Sequence, residues 1–140
     1  MESVIEALRS ANQPVPVPLE LPDMDTIIDA EQQLLISLDR EFREFLLTVS
    51  DVICGTLEPV TVADPNSHTY LPEVAATAWS LGVPRHWIPV CEVTENSGSG
   101  YYCANELGEI VLWANGQQIE DEIWEDIWHW AEVVWLESAS

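Results

Sequence analysis

Lysine is absent from this 140-residue chain, and no arginine follows Arg85, although positions 86–140 carry eleven Asp or Glu residues. Four arginines against 25 acids leave a formal net charge of −21. Such a surface repels phosphate backbones and anionic headgroups, which argues against nucleic acid and membrane as partners. It attracts basic proteins, most strongly at low salt. Solubility is the plain alternative, since like charge keeps any protein dispersed. Without lysine there is no P-loop; the glycine-containing stretch 95–100 lacks both the lysine and the helix of a phosphate cradle.

Other absences narrow the class further. No run of about 18 apolar residues is present to span a bilayer, and the opening residues lack the basic and apolar regions of a secretory signal, so the cytoplasm is the expected compartment. Cys54, Cys91 and Cys103 are odd in number and without CxxC spacing, which disfavours a disulfide framework or a zinc knuckle and favours reduced thiols. His68, His86 and His129 show no HxxxH or HxH spacing, and the acids lack the EF-hand pattern with its central glycine. No cofactor and no metal are expected. A Cys/His nucleophile would need a local signature that none of the three cysteines has, so buried, inert thiols are expected and an enzyme is not.

What is present is a globular composition. Hydrophobic residues make up 47% of the chain, and seven tryptophans need a core or an interface to cover them. One domain is expected at this length. Residues 2–11 read as an amphipathic helix on Val4, Ile5 and Leu8, followed by a proline strap from Pro14 to about Pro22. Asp23 or Asp25 can cap a helix over 25–36, and Ser37 can cap another over 38–50 with Phe42, Phe45, Leu46 and Val49 inward. Strand-like residues occupy 52–54 and 57–62, and a helix over 73–82, anchored by Trp79, stops at Gly82.

From Trp87 the period becomes two. Runs at 87–93, 100–104 and 109–113 suggest an antiparallel meander on which Cys91 and Cys103 lie side by side, either meeting across a hairpin or serving as two small core residues. Asn115-Gly116 signals a type I′ turn into a short fourth strand, 117–119. A last helix is expected over 121–136. Its stripe is Trp124, Ile127, Trp128, Ala131, Val134 and Trp135; Trp130 falls off the stripe and is expected to be partly exposed, and His129 lies on the surface.

The order of these pieces resembles a known family. Leu34-Leu35-Ile36-Ser37-Leu38 followed by Glu41-Phe42-Arg43-Glu44-Phe45-Leu46-Leu47, then Trp87-Ile88-Pro89-Val90-Cys91, Gly100-Tyr101-Tyr102-Cys103 and Gly108-Glu109-Ile110-Val111-Leu112-Trp113, is similar to SUKH-superfamily domains of the Smi/Knr type. The resemblance implies an α+β fold, a single domain with an antiparallel β-meander sheet packed against several helices. Residues 1–24 would form a leading helix and strap, and 25–137 the SUKH-like domain. It also implies a non-enzymatic binding module. Bacterial members are largely regarded as immunity proteins that neutralise toxins, many of them nucleases, while fungal relatives take part in cell-wall regulation. A basic toxin is then the expected partner; the alternative is a regulatory adaptor or small-ligand domain. Candidate contacts are Glu92, Glu95, Asn96 and Tyr101 around the first hairpin, and Glu122, Glu125, Asp126 and Trp130 on the last helix.

Overall fold

Asp23 and Asp39 start two helices by the same chemistry. In a computed structural model, which describes residues 2–16, 20–93 and 100–139, the Asp23 carboxylate accepts from Thr26 N at 2.9 Å and opens α2, Met24–Leu34. Asp39, rather than the expected Ser37, accepts from Phe42 N at 2.8 Å and opens α3, Arg40–Val49. Each bond satisfies an amide that the first helical turn leaves unpaired. Between them the Glu31 carboxylate takes Leu38 N at 2.6 Å and the Arg43 guanidinium at 2.7 Å, fixing the angle between the helices. The middle of the expected proline strap, 17–19, and the expected hairpin tip 94–99, with Glu95 and Asn96, lie outside the described residues.

α1, Glu2–Ala11, buries Val4 and Leu8 in the main core, and Arg9 pairs with Asp51. The next residues hold on to the chain after α3: Gln13 N donates to Ile53 O at 2.7 Å, and Ile53 N to Asn12 Oδ1 at 2.8 Å. In place of the expected strands at 52–54 and 57–62 there are isolated bridges at Cys54–Leu57, Pro59–Cys91 and Thr61–Tyr70. Gly55 at φ 65 turns the chain, and Pro59 has no amide to donate, so no ladder propagates. α4, Leu71–Ser80, carries Pro72 in its first turn and ends before Gly82 at φ 112. Trp79 anchors it: its Nε1 donates to Trp87 O at 2.9 Å, and the Arg85 guanidinium lies 3.7 Å over its ring.

Four antiparallel strands follow in the order β1 (Ile88–Val93), β2 (Gly100–Ala104), β3 (Ile110–Ala114) and β4 (Gln117–Trp124). With the helices they form the expected α+β arrangement. One core cluster gathers Tyr101, Cys103, Val111 and Trp113 with Ala78 of α4; the other gathers Ala104 and Ile110 with Phe45, Trp128, Trp130 and Trp135. The alternation along β2 and β3 assigns these sets to opposite faces of the sheet. Cys91 belongs to the second cluster and Cys103 to the first, so the two thiols do not meet, and all three cysteines are free and buried. A one-residue slip in the β1–β2 register between Pro89 and Cys91 separates them. The Asn115-Gly116 turn is present with φ of 55 and 85.

The end of the chain departs from expectation. β4 continues to Trp124, through residues read as the start of the last helix. Ile119 faces Leu112 and Ile123 faces Val111, so Glu120, Asp121 and Glu122 have no counterparts in β3 and bulge from the ladder. The four-residue spacing of the two isoleucines is therefore a bulge rather than a helical turn. Asp126 then caps α5, Ile127–Trp130, which passes into a π-helical turn at Ala131–Trp135 and a 3₁₀ turn at Leu136–Ala139. A π turn brings residues five apart over one another. Trp130, expected to be partly exposed, is instead wholly buried and stacks on Trp135 at 6.5 Å.

Candidate functional site: two acidic surfaces

β4 is an outer strand. Gln117, Gln118, Glu120 and Asp121 are exposed along it with Glu122 half-buried, and just past its end Glu125 is exposed and Asp126 half-buried. Asp126 accepts from His129 N at 2.8 Å. Since α3 packs against α5, the carboxylates at the two helix starts face a common neighbour, Glu41. Partial burial first, and then the charges of Asp126 and Asp39, hold the Glu41 carboxyl above its ordinary value. The positive ends of α3 and α5 accommodate this crowding. No arginine relieves it from the strand side, since neither lysine nor arginine follows Arg85.

The second surface lies at the opposite edge, where residues 58–61 run beside β1 and Val60 N donates to Val90 O at 2.8 Å. A cavity of about 230 Å³ is bounded by Ser50, Ile53, Thr56, Glu58, His68 and Thr69. A second, of about 180 Å³, is bounded by His68, Glu73, Thr77, Glu92 and Tyr101. Sharing His68, they form one groove into which Glu58, Glu73 and Glu92 bring carboxylates. His68 Nε2 sits 2.9 Å from Glu58 Oε2, and the Tyr101 hydroxyl donates to Glu92 Oε2 at 3.4 Å. Burial, then the Glu92 charge, pushes the Tyr101 phenol up to about 12, so it stays a donor at neutral pH. Three carboxylates and several hydroxyls, with no lysine or arginine among them, suit a cationic side chain or a row of hydrogen-bond donors.

The expected contact residues therefore divide. Glu92 and Tyr101 are cross-strand partners in the groove, whereas Glu122, Glu125 and Asp126 are at the far edge of the sheet, and Trp130 is inside the core. Glu58, His68 and Glu73 were missed by sequence reading. They come from a bridge segment, a turn and a helix whose convergence leaves no periodic trace. Burial raises the Cys91 and Cys103 thiols to about 12, opposite to what a nucleophile needs. Among the described residues no His, Cys, Asp or Glu group is arranged to hold a metal ion, and no helix is long and apolar enough to cross a membrane.

Comparison with known proteins bears on this geometry. A family model described as SUKH, SMI1-KNR4 cell-wall, matches residues 1–136. A crystal structure of a protein from Pseudomonas syringae pv. tomato is 60% identical and superposes with a TM-score of 0.92, covering 99% of this chain and 100% of that one. None of the curated proteins matches the chain.

Proposed function

We propose, from the premise that this chain belongs to the SMI1-KNR4 family of SUKH domains, that it is a non-enzymatic immunity protein, acting in the cytoplasm by binding a basic toxin and covering its active surface. The observation that carries this reading is the disposition of charge. Arg9 is paired with Asp51, Arg43 with Glu31, and Arg85 lies over Trp79, while carboxylates stand in solvent at both edges of the sheet. A nuclease toxin presents a basic surface to its substrate. An acidic protein that docks there is steered to it and keeps the nucleic acid out. The test is to purify the chain with the toxin encoded beside its gene. A stable complex that silences the toxin is expected; an absent toxin gene, together with no basic protein in pull-downs from the native lysate, contradicts the reading.

The groove supports a second reading, a regulatory adaptor or small-ligand domain, because its cavity of about 230 Å³ is lined by paired donors and acceptors. A screen of cationic metabolites by thermal shift separates the two. Stabilisation abolished by Glu58→Gln favours the adaptor reading, and no shift with any compound removes it.

A further inference from the structure

Four apolar side chains stand in solvent on α2 and at its two ends: Leu21 before it, Met24 and Ile28 on it, and Leu35 just after it, the last 82% exposed. Helical geometry puts Met24 and Ile28 on one side, about 40° apart. Ile28 and Leu35 line one shallow cleft with Gln32 and Ile36. Leu35 sits at φ 60, a left-handed conformation that costs a leucine about 1–2 kcal/mol. So exposed a side chain gains little from packing within the fold. A bulky apolar group held outward in a disfavoured conformation points to a contact beyond the chain.

The flanks of this stripe are acidic. Asp25 and Asp29 are exposed beside it, and the arginines that reach α2 are occupied, Arg43 by the Glu31 carboxylate and Arg85 by Leu34 O at 2.6 Å. A second copy of the chain would set Asp25 and Asp29 against their own counterparts, in a molecule of net charge −21. A partner with basic flanks meets no such repulsion. Apolar anchors within a charged rim are the usual anatomy of an interface, and a helix is the shape that matches a stripe of this spacing.

We propose that the Met24–Ile28–Leu35 stripe is a docking surface for a basic amphipathic helix of a protein partner. The inference rests on the proposed function only in taking the partner to be basic. It is tested with the full chain and a synthetic helical peptide carrying leucine at the first and fourth positions of each heptad and lysine elsewhere, against a shuffled peptide of the same composition. At near-physiological salt, calorimetry is expected to show the amphipathic peptide binding about tenfold or more tightly, a difference of about 1.4 kcal/mol. Joint Ile28→Ser and Leu35→Ser substitution should remove that preference, whereas Leu107→Ser, at a leucine 78% exposed after β2, should keep it. Both variants alter exposed side chains, and an unchanged melting temperature verifies that they fold. Equal affinity for the two peptides, or equal loss in both variants, overturns the proposal. A dimer in sedimentation equilibrium that Leu35→Ser dissociates also overturns it, by making a second copy the occupant. Because the peptide is not the toxin, failed toxin binding with intact peptide preference removes only the immunity reading, and the converse result removes only this docking surface.

Discussion

Two tryptophans in the last turns show how one polar atom separates similar residues. Trp135 Nε1 donates to Cys54 O at 3.1 Å, whereas Trp130 Nε1 is buried without a hydrogen-bond partner among the described residues. Trp135→Phe leaves a buried carbonyl without this donor, while Trp130→Phe removes an unpaired donor, so the first should cost about 1 kcal/mol more in urea unfolding. Glu41 gives a prediction of opposite sign. Its folded-state pKa is raised, so the ionised carboxylate weakens the fold at neutral pH, and stability returns as pH falls through that raised value. Glu41→Gln should therefore stabilise at pH 7, by a few tenths of a kcal/mol after solvent screening, and the gain should vanish in acid. Asp23 behaves conversely. Its lowered pKa contributes stability above the ordinary carboxylate value that is lost as pH falls through the folded one. The buried thiols should resist a thiol reagent in the native protein and react fully in denaturant; rapid native labelling of Cys91 or Cys103 would contradict their burial.

At the scale of elements, legibility followed the directness of the local signal. Phe42, Phe45, Leu46 and Val49 are all buried, as their spacing along α3 requires, and Asn115-Gly116 forms the turn its composition demands. The β4 bulge and the π turn were not legible. Ile119 and Ile123 share helical spacing, and only the pairing with β3 turns that interval into a bulge. The burial of Trp130 likewise depends on a helix type that sequence periodicity does not encode. The groove was illegible for another reason, since Glu58, His68 and Glu92 are joined only by tertiary packing. Leu35 allows a test of local strain. Glycine is the usual residue at a left-handed helix end, so Leu35→Gly should stabilise the chain by about 0.5–1 kcal/mol in thermal unfolding, while removing an anchor from the α2 stripe. A loss of stability instead would mean that the leucine is held by contacts within the fold.

The whole molecule is a sheet packed on both faces by helices, with acids along both edges and most of its few bases turned to internal partners. Charge in that arrangement acts on encounter more than on residence. Glu122→Lys with Glu125→Lys should slow association with a basic partner and flatten its salt dependence, with little change in dissociation; both substitutions avoid Asp126, whose cap holds α5. Unchanged kinetics would clear the β4 edge of involvement. Neutralisation of a basic toxin by occlusion can be read out most directly by titrating the chain into an activity assay of the toxin encoded beside its gene. Activity should fall linearly to background at one equivalent, with an association rate that drops steeply as salt rises. Full toxin activity in the presence of a large excess of the folded chain would contradict it.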